Sequence, residues 1–398
     1  MENKLNIGLF IDTFYPMIDG VINVVDNYAR RLNKIANVTV FAPKSRYDNF
    51  DDSTLPYKVV RCKRFNLKFL KLDYDLPLPS LDKNFKKAIK DANLDIIHIH
   101  SPFSIGKMAA SYGNKHNIPV VATMHSQFKK DFYKSTKSKV LTNIMLDIIA
   151  HTFNKCDVLW TMNPGCAKLS KEYGYKGQID IVPNATDLVN EFAQDEIASF
   201  KKEISAKYDI KEDEKIFINI GRLNKLKNLT FVINVCKLLS EKNFKFKLLL
   251  IGDGSDKKYF ENKVKNENLQ DKIIFVGRVS SVEEKSKLFA ISDLQIFPSY
   301  YDTDGIVRIE AAAFYVPTIF IENSLASSTI TNDVNGYIGK NNKEKFAQKI
   351  IDIFSDEELY NKVKIKCHED LYINWDSLMT DVLKKYKNLI EEKKCKKI

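Results

Sequence analysis

Two carboxylates eight positions apart, Asp302 and Glu310, flank Gly305 in the stretch Asp302-Thr-Asp-Gly-Ile-Val-Arg-Ile-Glu310. The apolar run Leu294-Gln-Ile-Phe-Pro298 precedes them and Ala311-Ala-Ala313 follows. That order predicts strand, loop and helix, with Gly305 at the turn. A helix starting just after Gly305 aims unpaired backbone N–H groups and the positive end of its dipole at the loop, which suits a phosphate. Glu310, about one turn inside, can accept hydrogen bonds from the two hydroxyls of a ribose, and Asp302 can do the same for a sugar. That gives one acid for each end of a nucleotide-sugar. The competing reading is two exposed acids beside an ordinary helix start.

Cations stand at a second strand end. In Gly221-Arg222-Leu-Asn-Lys-Leu-Lys227-Asn228 a strand closes at Gly221 and a helix opens near Asn228. Arg222 and Lys227 therefore sit in a strand-to-helix loop, placed for two phosphates; the competing reading is two solvated surface cations. Ile251-Gly-Asp-Gly254 repeats the glycine punctuation but lacks the third glycine and downstream acid of a dinucleotide fingerprint, so it reads as a tight turn. Val276-Gly-Arg278-Val279 repeats it again, and its backbone can read a nucleobase edge.

In the first half, Ile11-Asp12-Thr-Phe-Tyr-Pro16 follows the first strand and Asp19-Gly20-Val21 opens a helix, where Gly20 lets backbone approach a ligand closely. His98, His100 and His125 fall at strand ends, where imidazole can donate to a sugar hydroxyl or an oxyanion. His98 and His100 share a strand face, but no Cys or acid at ligand spacing completes a site, so no metal is expected. His116 and His151 lie on helical stretches, where a structural role is expected.

Two segments mix cations with apolar residues: Arg61-Cys-Lys-Arg-Phe-Asn-Leu-Lys-Phe-Leu-Lys71, and Gln127–Lys134 continuing through Lys137 and Lys139. They suit an anionic membrane surface; equally, they fit a half-buried strand and an amphipathic helix. The formal charge of +11 favours an anionic partner without choosing one. Cations scattered rather than striped, and no recognised nucleic-acid module, argue against a nucleic-acid binder. Six scattered cysteines without a CxxC pair read as a reduced cytosolic chain lacking structural zinc. Apolar runs are short and interrupted, so neither a transmembrane helix nor a signal peptide is expected.

These residues need a frame that holds strand ends together. A chain of 398 residues with 44% hydrophobic content predicts two domains. Strands alternate with helices throughout, the signature of parallel α/β layers. They are predicted at Leu5–Ile11, Val38–Ala42, Leu94–His100, Val120–Met124, Val158–Met162 and Ile179–Val182. After a break at Pro183-Asn-Ala-Thr-Asp187 and a charged helix over Asp195–Lys207, the alternation resumes. Strands follow at Ile216–Gly221, Phe246–Ile251, Lys272–Val276, Leu294–Phe297 and Thr318–Ile321. The predicted fold is α/β, two Rossmann-like doubly wound domains facing across a cleft, with ligands at the carboxyl ends of their strands.

In this order, Gly221-Arg222 with Lys227-Asn228, Ile251-Gly-Asp-Gly254, Val276-Gly-Arg278 and the acids around Gly305 resemble the GT-B glycosyltransferases of family 4. The resemblance covers nearly the whole chain. It implies an N-terminal acceptor domain over 1–187, a nucleotide-sugar domain over 188–373, and a last helix over 374–398 returning to the N-terminal domain. It also implies retaining transfer from a nucleotide-sugar without an obligatory metal or other cofactor. Arg222 and Lys227 would bind the diphosphate, Glu310 the ribose and Asp302 the donor sugar. Gly305, Ile306 and Val307 would contact sugar and phosphate through their backbone, and Gly221, Arg278 and Val279 would line the donor site. His125 matches the family histidine near the reaction centre and Gly20 the glycine loop over the phosphates.

There are departures. Asp302 stands where Glu is usual, Asp304 where an aromatic or small residue is common, and Tyr315 where glycine often precedes Val-Pro. Asn323–Thr329 replaces a glycine-glycine-acid loop. The basic patches and the His125-Ser-Gln-Phe128 segment resemble members that glycosylate membrane lipids, which implies a lipid or lipid-linked glycan acceptor and a peripheral place on the cytoplasmic face of a membrane. An epimerase acting on the nucleotide-sugar itself would use the same architecture.

Overall fold

A computed structural model describes residues 4–17, 19–45, 50–65 and 76–395. The chain forms two compact units, Met1–Pro183 with Trp375–Ile398, and Asn184–Asn374. In the first unit the strands are β1 (Asn6–Phe10), β2 (Asn37–Pro43), β3 (Lys58–Cys62), β4 (Arg64–Phe65), β5 (Leu76–Pro77), β6 (Ile96–Ile99), β7 (Val120–Thr123), β8 (Val158–Thr161) and β9 (Gln178–Ile181). β4 and β5 make a small antiparallel pair. The other seven form one parallel sheet in the order β3-β2-β1-β6-β7-β8-β9. The order reverses between β1 and β6, so their carboxyl ends diverge there and leave room for polar groups.

The second unit contains β10 (Lys215–Ile220), β11 (Phe246–Ile251), β12 (Ile273–Gly277), β13 (Leu294–Phe297), β14 (Thr318–Ile321) and β15 (Tyr337–Gly339). They form a six-stranded parallel sheet in the order β12-β11-β10-β13-β14-β15, with its switch between β10 and β13. Its strands read as continuous apolar runs because both faces are covered. Phe217, Leu248, Leu250 and Ile296 pack on one side with Val232, Cys236 and Ile350. Ile216, Ile218, Leu249 and Ile251 pack on the other with Phe289, Ala311 and Ala313.

The chain ends in the helix Trp375–Cys395, which buries Trp375, Leu378, Met379, Val382, Tyr386 and Ile390 at three- and four-residue spacing. It lies against the helix Gly20–Leu32 of the first unit. Full burial of each such side chain contributes roughly 1.5–3 kcal/mol. Ion pairs fix it further: Arg31 with Asp376 (3.0 Å), Lys385 with Asp180 (2.9 Å) and Lys393 with Asp157 (2.5 Å).

Candidate functional site

The second unit assembles its chemistry at the β10/β13 switch. Backbone bonds lace the loops after β10, β11 and β12 together: Gly221 N–H donates to Ile251 O, Leu223 N–H to Asp253 O, and Gly252 N–H to Gly277 O. Gly252 has φ +137°, and a Cβ there would stand 2.0 Å from the Gly221 carbonyl oxygen. These glycines bring the loops together by close backbone approach; residues 252–254 are not themselves a hydrogen-bonded turn, which begins only at Ser255. Arg222 and Arg278 are exposed, and Val279 beside Arg278 is half-buried. Lys227 closes the short 3-10 turn Lys225–Lys227, after which Asn228 at φ +57° starts the helix Leu229–Glu241. The Asn228 amide donates to the Pro298 carbonyl (3.2 Å), tying this loop to the one after β13. Lys227 Nζ meets Asp302 Oδ1 at 2.5 Å, so two predicted site residues 75 positions apart are in direct contact.

Gly305 carries φ +74°, and a Cβ there would stand 2.6 Å from the Phe297 ring. The turn therefore needs glycine twice over, for its dihedral and for its closeness to β13. Ile306 and Val307 then open the helix Ile306–Ala313. Asp304 stiffens the loop. Its carboxylate pairs with Arg308 (2.5 Å), both side chains buried, and accepts from the Asn184 amide (2.9 Å). Glu310 is 8% exposed. Its Oε1 accepts from Lys285 Nζ at 2.6 Å, while Oε2 is buried with no hydrogen-bond partner. A buried carboxylate oxygen without a donor is costly, and a ligand hydroxyl would satisfy it. Lys285 was not among the predicted residues. It lies on the helix Val282–Ala290, and only tertiary packing brings it to Glu310.

In the first unit, polar groups collect near the β1/β6 switch. Asp12 Oδ1 accepts from the Ile105 N–H (2.8 Å) and Oδ2 from the Ser101 hydroxyl (3.1 Å), so it braces the start of the helix Ser104–His116. Burial raises the Asp12 carboxyl to about 6 against those bonds. His98 bridges the Tyr386 hydroxyl (2.6 Å) and the Thr123 hydroxyl (2.7 Å). His100 Nδ1 lies 3.1 Å from His125 Nε2, and His100 Nε2 is buried without a hydrogen-bond partner. Burial pushes His98 and His100 well below the ordinary imidazole range, with neighbouring imidazoles adding to the effect. It pushes His125 down to about 4. All three rings are neutral near pH 7, so His125 offers a hydrogen bond rather than a charge.

Gly20 is the first residue of the helix Gly20–Leu32, capped by the Asp19 side chain on the Ile22 N–H (2.8 Å). A Cβ at Gly20 would meet nothing within 4 Å, so protein packing does not demand glycine here. His116 and His151 are exposed on their helices, and the His116 ring lies against Tyr112 with centroids 4.2 Å apart.

The first basic segment is partly spoken for. Arg61 pairs with Asp52 (2.6 Å) and donates to the Tyr15 and Pro43 carbonyls, so it serves the β3 edge, the half-buried strand alternative. Residues 66–71 of that segment lie outside the described residues. The second segment is the amphipathic helix Phe128–Thr136, with Phe128 and Phe132 buried.

Sequence profiles settle the class. The profile described as Glycosyltransferase Family 4 matches residues 18–190, and that described as Glycosyl transferases group 1 matches residues 200–368. The chain belongs to the family 4 glycosyltransferases. Over 338 residues this glycosyltransferase is 24% identical to the alpha-monoglucosyldiacylglycerol synthase of Streptococcus pneumoniae, covering 83% of this chain and 74% of that one. Over 410 residues it is 27% identical to the N-acetyl-alpha-D-glucosaminyl L-malate synthase of Bacillus anthracis, covering 97% and 99%. Its fold matches that of Anabaena HepE, solved in complex with UDP, with a TM-score of 0.76 at 13% identity over 96% of this chain and 99% of that one. The two parallel-sheet domains are thus those of the GT-B fold.

Proposed function

We propose that this enzyme transfers a hexose, with retention, from UDP-glucose or UDP-galactose to a membrane lipid such as diacylglycerol or to a lipid-linked envelope glycan. The observation that carries the donor half is one half-used carboxylate, Glu310, at the same switch point as Asp302. Glu310 holds one oxygen on Lys285 and keeps the other buried without a hydrogen-bond partner. Asp302 rests on Lys227. A ribose hydroxyl fits the first, and a diphosphate would draw Lys227 towards itself while Asp302 turns to the sugar. The C1–O bond to the diphosphate breaks, the acceptor oxygen takes C1 on the same face, and the acceptor proton passes to a leaving diphosphate oxygen. Negative charge grows on that diphosphate, so Arg222 and Lys227 act most strongly in the transition state. No metal ion is required for this step.

The lipid acceptor rests on the alpha-monoglucosyldiacylglycerol synthase relative. No helix among the described residues is long and apolar enough to cross a membrane, and we place the enzyme peripherally on the cytoplasmic face. A soluble hydroxy-acid acceptor is the second reading, favoured by the malate synthase relative that matches 97% of the chain. Nucleotide release from a panel of UDP-, GDP- and ADP-sugars decides between them, measured with diacylglycerol vesicles, with L-malate, and with neither. The lipid reading expects release from a UDP-hexose that needs diacylglycerol and vanishes in Glu310→Ala. Malate-dependent release would replace it with the second reading, and release unaffected by Glu310→Ala would remove Glu310 from the site.

A further inference from the structure

The helix Lys139–Phe153 in the first unit is apolar on two faces. Leu146, Ile149, Ala150 and Phe153 are buried, as packing on a core requires. The opposite arc carries Val140, Leu141, Ile144 and Ile148, which are 68%, 51%, 49% and 52% exposed. Positions 140, 144 and 148 fall at successive turns, so they form one stripe about 12 Å long at 1.5 Å rise per residue. An isolated exposed aliphatic side chain is ordinary, but a contiguous stripe marks a contact surface.

Cations stand beside the stripe. The helix Phe128–Thr136 packs against this one, and Lys129, Lys130, Lys134, Lys137 and Lys139 are all exposed. Residues 129–151 hold these five lysines against two acids, Asp131 and Asp147. Tyr133, 47% exposed on the lysine-bearing helix, adds an amphipathic ring.

We propose that this stripe and its lysines seat the enzyme on an anionic lipid surface. The aliphatic side chains enter the acyl boundary, and the ammonium groups meet headgroup phosphates on extended apolar stems. A second copy of the chain fits less well, because two-fold pairing sets the same patch against itself and brings lysine onto lysine. The proposal deepens the lipid-acceptor reading by naming the docking face, but its test uses neither donor nor acceptor and can fail separately.

Full-length protein is pelleted with vesicles of phosphatidylglycerol and, separately, of phosphatidylcholine. Binding to the anionic vesicles that weakens with salt is expected. It should fall about tenfold or more in the double variant Ile144→Asp/Ile148→Asp, and also in Lys134→Glu/Lys137→Glu, which leaves the helix packing untouched. Thermal unfolding of each variant checks that it is folded. Absence of binding by the parent protein, or undiminished binding by both folded variants, overturns the proposal. So does a dimer in solution that the aspartate variant dissociates, if vesicle binding is unaffected. Docking without diacylglycerol glucosylation would remove diacylglycerol as the acceptor and leave the docking face standing.

Discussion

At the scale of single residues, the donor-side acids are each steadied by a lysine, and the two lysines do different work. Lys227 touches Asp302 where the leaving diphosphate is proposed to sit. Its loss should act on the transition state, so Lys227→Ala is expected to lower kcat and kcat/KM together by about 10²-fold or more. Lys285 touches the proposed ribose end through Glu310. Lys285→Met should therefore raise the donor KM while changing kcat much less. Steady-state kinetics over a range of donor concentrations separates the two, and a kcat loss confined to Lys285→Met would reverse the assignment. Spacing and family resemblance brought Arg222, Lys227, Asp302 and Glu310 into view. They could not show Lys285, which lies 25 positions from its partner on another helix, nor the buried Asp304–Arg308 pair that stiffens the loop.

Whole elements show where the amino-acid pattern is enough and where it is not. Fully buried, mostly apolar strands, such as Phe246–Ile251 and Leu294–Phe297, have the bounds predicted for them. Beside the short pair Arg64–Phe65 and Leu76–Pro77, two strands of the parallel sheets are absent from the predicted set. Lys58–Cys62 carries charges along a half-buried edge, and Tyr337–Gly339 is three residues long, too short for any periodicity. Tyr315, conspicuous for replacing a glycine, adopts φ +59° and stacks on His368 with ring centroids 4.1 Å apart. The stack helps to hold a backbone conformation that costs roughly 1–2 kcal/mol for a non-glycine residue.

The last helix reaches the histidine cluster through Tyr386. Tyr386→Phe leaves a buried His98 nitrogen without its partner, which should cost about 1–3 kcal/mol of stability in a denaturant melt. The same cluster sets a pH dependence. His98, His100 and His125 are depressed in the fold, so unfolding takes up protons below about pH 6.5, and stability is lost as pH falls from there towards their folded values. Asp12, raised to about 6, works in the opposite direction, giving back stability between about 6 and about 4. Three histidines against one carboxyl leave a net loss. The melting temperature should drop from about pH 7 to about pH 5, with a shallower slope in His100→Phe; an unchanged slope would mean His100 does not titrate on unfolding.

For the whole molecule, the order of segments matters more than any one of them. The chain leaves the first unit at Pro183 and re-enters it at Trp375. At that junction the two ends of the second unit pair with each other: Thr186 and Asn374 form a parallel bridge, and Thr186 N–H donates to Ile373 O (3.0 Å). The second unit is therefore inserted through adjacent points, closes on itself and carries cores on both faces of its own sheet. A segment with neighbouring ends and its own core is one that folds alone. The first unit is different, because its sheet is finished by a helix that arrives last in the chain. Without Trp375–Cys395, His98 loses Tyr386, and the apolar surface under Leu378, Val382 and Ile390 opens to water. Residues 184–374 made alone should unfold cooperatively and bind UDP in a calorimetric titration. Residues 1–183 made alone should lack a cooperative melt until residues 375–398 are joined to them by a linker. A cooperative melt of 1–183 by itself would show that the returning helix decorates the first unit rather than completing it, and a non-cooperative 184–374 would show that the inserted unit depends on the chain around it.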